Sequence, residues 1–194
     1  MSNTHLSTDV AKFRYDVFYS IDAIDADVWD RVNNFSKNYL SFSFLSAFEK
    51  GMKASMSFRY LIFYNYDNQA VATVVFQQFS ARTSDLLQNK VASFLAEKIK
   101  STFSDKPLQI LVCGNLFTSG ENGFAHTQLV PKKTVLSLIN AAVSENFSDI
   151  KKSAPSFVLI KEFWPSFSDG NSLKKKRFFE FEIDVNMVVR FAEN

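Results

Sequence analysis

Three of the chain's five glycines fall within ten residues, at Gly114, Gly120 and Gly123. They follow the apolar run 108–113 and precede a segment with helical spacing that opens at Pro131. A buried strand, a glycine-bearing loop and a helix, in that order, can bring backbone N–H groups and a positive helix end to an anionic ligand. This loop is therefore the candidate ligand site.

Side chains in and beside the loop offer few chemical groups, and each has a second interpretation. Cys113 is a candidate nucleophile, although a lone cysteine that closes an apolar strand is typically a small buried hydrophobe. His126 is a candidate general base, with a surface or capping histidine as the alternative. Glu121 and Asn122 could orient a substrate amine or only build the turn.

Two groups of basic residues could meet an anion. Lys132 and Lys133 open a helix, where cations oppose the macrodipole; a nearby anion would relieve that misfit, and a solvated helix start is the alternative. The basic run 174–177 suits phosphate, RNA or an acidic partner, but alternating acidic residues over 180–184 favour a solvated loop. No His/Cys/Asp cluster has metal-ligand spacing, and no dinucleotide or phosphate-loop fingerprint occurs. We expect no metal.

Composition narrows the class of protein. The 194 residues fit one domain, and 22 phenylalanines supply large rings for its core. A formal net charge of +2 predicts no strong attraction to nucleic acid or to a membrane surface. One cysteine excludes an intrachain disulfide, and no apolar run approaches the roughly 20 residues that span a bilayer. We expect a cytoplasmic protein with a flexible start over 1–14.

Periodic patterns predict the elements that must position the loop. They are a strand over 15–21, a helix capped by Asp25 and extending to Phe35, a second helix from about Ser43 to a stop at Gly51, a hairpin of 58–66 and 70–79 about Asp67-Asn68, a helix over 84–103, a strand over 108–113, a helix over 132–147, a strand over 157–163 and an amphipathic strand over 179–185. This order predicts a single domain, 1–194, of mixed α/β (α+β) class. Its central sheet is mixed and mostly antiparallel, with helices on both faces.

The order of elements resembles the GNAT acyltransferase fold. More narrowly, the stretch Ile110-Leu-Val-Cys-Gly-Asn-Leu-Phe-Thr-Ser-Gly-Glu-Asn-Gly-Phe124, with Phe42-Ser-Phe-Leu-Ser-Ala-Phe48, resembles the first lobe of two-lobed GNAT-like proteins related to Fem-type peptidoglycan aminoacyltransferases. The resemblance implies that strand 108–113 splays from its neighbour 157–163 to admit the pantetheine arm of acetyl-CoA or another acyl-CoA. It also implies that loop 114–130 takes the pyrophosphate. The implied cofactor contacts are Gly114, Asn115, Gly120, Gly123, Lys132 and Lys133.

Departures from the family pattern leave two functions open. Phe117 stands where the phosphate loop usually has Arg or Gln, and Asn122 stands where it has a small residue. Every tyrosine lies at or before Tyr66, so the usual tyrosine acid is missing. The first function is N-acyl or aminoacyl transfer to a small-molecule amine or a peptide. The alternative is a non-catalytic GNAT-shaped binding lobe that pairs with a second lobe, as one part of a longer protein or as a homodimer.

Overall fold

The computed structural model describes residues 12–34, 38–81, 107–118, 120, 123–146, 157–161, 173 and 178. Their strands and α-helices, in chain order, are β1 Arg14–Phe18, α1 Ala26–Val32, α2 Phe42–Met52, β2 Ser57–Tyr64, β3 Ala70–Ala81, β4 Leu108–Cys113, β5 Phe124–His126, α3 Lys132–Asn146 and β6 Phe157–Ile160. Outside the described residues lie the predicted helix over 84–103, the predicted strand over 179–185, the basic run 174–177, and the site candidates Glu121 and Asn122.

One mixed sheet organises the described residues. Its strand order is β1-β2-β3-β4-β6, and β5 pairs with β3 away from that path. The pairs β1·β2, β2·β3, β3·β4 and β3·β5 are antiparallel, whereas β4·β6 is parallel. The chain reaches β6 from β5 through α3. The predicted coarse class, mixed α/β with a mostly antiparallel sheet, is confirmed.

Helices cover both faces of this sheet. On one face, Val135 and Ile139 of α3 are fully buried in a cluster with Leu61, Phe63 and Phe76. On the other face, side chains of α1 and α2, chiefly Trp29 and Leu45, are buried against residues of β2 that alternate with the first set. The alternation follows from the period of two along a strand, so each strand contributes to two separate cores.

Local signals in the sequence account for the helix starts. The carboxylate of Asp25 accepts hydrogen bonds from the backbone N–H groups of Asp27 and Val28, as the predicted cap of α1 requires. Ser41 caps α2 in the same way through Phe44 N–H, at 3.4 Å. A cap depends on the type of a single residue, so the sequence can indicate where a helix begins.

Several predicted boundaries are corrected by the structure. The predicted stop at Gly51 is wrong: α2 runs through it to Met52, and Lys53 N–H still donates to Glu49 O at 2.9 Å. Glycine ends a helix when the position just beyond it is left-handed, and here the chain stays right-handed to Lys53. Helix α1 ends at Val32, short of Phe35, and β1 begins at Arg14 within the predicted flexible start. The strand predicted over 157–163 is described over 157–160.

Candidate functional site

Strands β4 and β5 lie end to end along the same edge of β3. The last β4 pair is Phe76↔Cys113, and the first β5 pair is Val74↔Phe124. Val75, between them, accepts a hydrogen bond from Gly114 N–H at 3.1 Å and donates to Gly123 O at 2.8 Å. Residues 114–123, which we call the excursion loop, therefore leave the sheet and return to it opposite a single residue.

The excursion loop needs glycine at both of its ends. Gly114 has a φ of +131°, a backbone conformation that side-chain-bearing residues rarely adopt. A Cβ on Gly123 would lie 2.9 Å from both the carbonyl oxygen and the Sγ of Cys113, because the two ends of the loop are pressed together. Gly120, within the loop, also has a positive φ, of +94°.

Hydrogen bonds from Lys161 and Gln77, and one within the loop itself, hold its first half. The Lys161 ammonium donates to the carbonyl oxygens of Asn115 and Thr118, each at 3.0 Å. The N–H of Leu116 donates to Gln77 Oε1 on β3, and the N–H of Phe117 donates to Asn115 Oδ1, both at 2.9 Å. The backbone N–H groups of residues 114, 116 and 117 therefore already have acceptors within the protein.

The parallel pair stays closed up to the last residue of β4. Its register runs from Ile110↔Phe157 to Cys113↔Ile160, and Lys161 N–H then donates to Cys113 O at 3.2 Å. The GNAT resemblance implies a gap between these two strands. Among the residues that the structure describes, β4 and β6 leave no such gap.

The thiol of Cys113 is enclosed. Its residue is fully buried in the core beneath α3, and its Sγ lies 3.8 Å from Gly123 O. Burial raises the pKa of the thiol well above its ordinary value, because the thiolate would lose its hydration there. At neutral pH this group is a neutral core side chain.

The other described candidates, His126, Lys132 and Lys133, lie after the loop, in β5 and at the start of α3. His126 ends β5 with an exposed side chain, and its Nδ1 lies 3.0 Å from Thr127 O. The Lys132 ammonium lies 5.9 Å from the centre of the Phe124 ring, and Lys133 is exposed at the start of α3. The exposed imidazole and the enclosed thiol of Cys113 share no hydrogen bond in the described part of the chain, and their catalytic roles stay predictions.

Aromatic rings run from the core to the excursion loop. Phe117 is 61% exposed, and its ring centre lies 5.9 Å from that of Phe48 on α2. Phe48 in turn contacts Phe44, which contacts Tyr39, itself 45% exposed. We call these four residues the aromatic surface. Sequence reasoning assigned Phe44 and Phe48 to the core, and it named Phe117 only as a departure from the phosphate-loop pattern.

Comparison of the chain with protein-family models, with curated proteins and with solved structures gives no match. Within the described ranges, no three His, Cys, Asp or Glu side chains are grouped so as to hold a metal ion. The helices described there are all too short or too polar to cross a membrane.

Proposed function

We propose that this chain is a non-catalytic recognition domain of GNAT-like architecture, which pairs with a second GNAT-like lobe. The architecture is supported by the order of elements: two helices, a hairpin, a central strand, a glycine-flanked loop, a helix and a strand parallel to the central one. Two features of the excursion loop support recognition over catalysis: backbone N–H groups that bind within the protein, and the exposed ring of Phe117.

In the first part of the loop, backbone N–H groups bind within the protein and the ring of Phe117 faces solvent. Three of its N–H groups, at residues 114, 116 and 117, bind Val75, Gln77 and Asn115. These are groups that a phosphate-binding loop would need to keep free. Phe117, by contrast, projects from a braced loop with most of its surface exposed. Exposed aromatic rings are enriched at protein interfaces, and the exposed ring of Phe117 carries the proposal.

The partner lobe that can be tested directly is a second copy of the chain. A net charge of +2 opposes association of two copies only weakly. An isologous contact would bring each excursion loop against the aromatic surface of the other copy, so that Phe117 and Tyr39 become covered. Both rings are exposed in the single chain and belong to one continuous set of ring contacts.

Self-association is the measurement that tests this assignment. We expect sedimentation velocity to show concentration-dependent dimerisation, and Phe117→Ser to raise the dimer dissociation constant by about 10- to 30-fold, as loss of an interface aromatic does. Tyr66→Ser is the matched control, since Tyr66 is 76% exposed in the turn between β2 and β3, away from the aromatic surface. A protein that stays monomeric at every concentration, or equal effects of the two substitutions, would contradict pairing through this surface.

Acyl transfer is the second candidate. The connection of β4 to β6 through α3 and the glycines at both ends of the loop support it, whereas the closed pairing of β4 with β6 counts against it. In this function the donor is acetyl-CoA or another acyl-CoA and the acceptor is an amine. A thermal-shift titration separates the two candidates, because a ligand that binds the folded state raises Tm as its concentration rises. We expect no shift with acetyl-CoA; a progressive rise would favour acyl transfer.

A further inference from the structure

Lys161 lies beside the point at which the chain leaves β4. It directly follows β6, and its backbone N–H donates to Cys113 O at 3.2 Å. A Cβ added to Gly114 would lie 3.4 Å from the Cβ of Lys161, so the lysine side chain begins directly against the first residue of the excursion loop. The backbone of Lys161 is therefore held by the sheet at the base of that loop.

The ammonium of Lys161 joins two points of the loop. It donates to the carbonyl oxygens of Asn115 and Thr118, each at 3.0 Å. Hydrogen bonds from a charged donor are roughly twice as strong as those between neutral groups. The two acceptors lie on either side of Leu116 and Phe117 in the sequence, so one nitrogen links both ends of the segment 115–118 and ties them to the sheet.

The segment that Lys161 links carries the exposed ring of the aromatic surface. Phe117 is 61% exposed, and its ring centre lies 5.9 Å from that of Phe48 on α2, with 58° between the ring planes. Docking of an exposed side chain costs conformational entropy, and this cost is smaller when the backbone that carries the side chain is ordered before binding. The bonds from Lys161 restrain the backbone before and after Phe117.

We infer that Lys161 is a positioning residue for recognition: it acts through Phe117, by fixing the segment 115–118 before that ring docks. This role rests on the proposed pairing function and names a residue on which the affinity of pairing depends. No local motif in the sequence singles out Lys161, because it lies 46 positions from Asn115 and 43 from Thr118. A purely structural lysine would affect stability without acting through Phe117.

Amide hydrogen exchange, followed by NMR, tests whether Lys161 fixes the loop. The N–H groups of Leu116 and Phe117 are both hydrogen-bonded within the protein, so their exchange requires local opening. We expect Lys161→Met to speed the exchange of these two amides by about 10-fold or more, because it removes two charge-assisted bonds. The Trp29 amide in α1 should exchange at an unchanged rate. Lys161→Arg keeps a cation with several N–H donors and should restore most of the protection.

Two further variants complete the exchange experiment. Lys12→Met is the matched control, since Lys12 is an exposed lysine before β1, at the opposite edge of the described sheet from β6. It removes the same charge and should leave both loop amides unchanged. Lys161→Gln keeps an uncharged NH2 donor and should give an intermediate increase, which keeps the test available if Lys161→Met does not fold. Unchanged exchange of the loop amides in a folded Lys161 variant would overturn the positioning role.

Sedimentation velocity tests whether the ordered loop serves pairing. We expect Lys161→Met to raise the dimer dissociation constant by about 3- to 10-fold. The loss of charge cannot cause this effect, because lowering the formal net charge of +2 by one weakens the repulsion between two copies. In a Phe117→Ser background the same substitution should change the constant by less than about 2-fold, since the ring that Lys161 positions is gone. Equal factors with and without Phe117 would contradict a role through that ring.

The two measurements separate the failure of this role from the failure of pairing. A wild-type protein that stays monomeric at every concentration rejects the pairing function, and the positioning role with it. A wild-type protein that dimerises with a dissociation constant that Lys161→Met leaves unchanged retains the pairing function and rejects the role of Lys161 alone.

Discussion

Replacing Gly123 by alanine lowers the free energy of unfolding by about 2 to 3 kcal/mol. The added Cβ would lie 2.9 Å from Cys113 O and 3.0 Å from Cys113 C, and a backbone cannot swing aside as a flexible side chain can. Either β4 or β5 must shift, which strains the bonds that both strands make to β3 around Val75. Urea denaturation, followed by tryptophan fluorescence, measures the loss.

Gly51→Ala is the matched control for this substitution. Gly51 lies inside α2, and a Cβ there would meet nothing within 4 Å. Alanine in a helix interior is more favourable than glycine by about 0.5 to 1 kcal/mol, so this variant should be more stable than the wild type. If the two substitutions change stability in the same direction, the close approach of the loop's ends is not the cause.

Replacing Trp29 by alanine has a still larger expected effect, a loss of about 3 to 5 kcal/mol in the free energy of unfolding. Trp29 is fully buried between α1 and β2, with its ring 5.7 Å from that of Tyr60 in an edge-to-face arrangement. Its indole N–H donates to Leu40 O at 2.8 Å and so ties the segment before α2 to α1. Alanine leaves both a cavity and a lost hydrogen bond.

Two further variants separate those causes, with urea denaturation followed by far-UV circular dichroism, because substitutions at Trp29 remove one of the two tryptophans. Trp29→Phe removes the indole donor but keeps most of the ring, and Asn33 Nδ2 still donates to Leu40 O at 2.9 Å, so we expect a loss of only about 1 to 2 kcal/mol. Arg31→Ala changes an exposed residue of the same helix and should stay within about 0.5 kcal/mol of the wild type. A loss for Trp29→Ala no larger than that for Arg31→Ala would contradict its role in the core.

The features that the sequence predicts well depend on neighbouring residues. Asp25 caps α1 because its carboxylate reaches N–H groups two and three positions on. The Asp67-Asn68 turn joins β2 and β3 because Asn68 tolerates a positive φ, here +57°. Strand 108–113 and the start of α3 at Lys132 also agree with their patterns. In each case the interactions that determine the cap, turn, strand or helix start are made by residues close together in the sequence.

The features that the sequence does not reveal depend on distant residues. Strand β5 has three residues, too few for a period of two to register, and it exists because β3 offers it an edge. The loop's bracing joins Lys161 to residues more than forty positions earlier, a contact that no local pattern encodes. Gln77 stands out only as an amide within the apolar strand of Phe76 and Phe79, and its use becomes visible once Leu116 is placed against it.

The collinear arrangement of β4 and β5 separates the length of the excursion loop from the register of the sheet. Because the chain departs and rejoins opposite Val75, we expect the pairs Phe76↔Cys113 and Val74↔Phe124 to be kept when the number of residues between them changes. Residues inserted between Gly114 and Gly123 would change the exposed surface of the loop without changing how β4 and β5 pair with β3. Natural variation or protein engineering can therefore change the loop sequence while the sheet is kept.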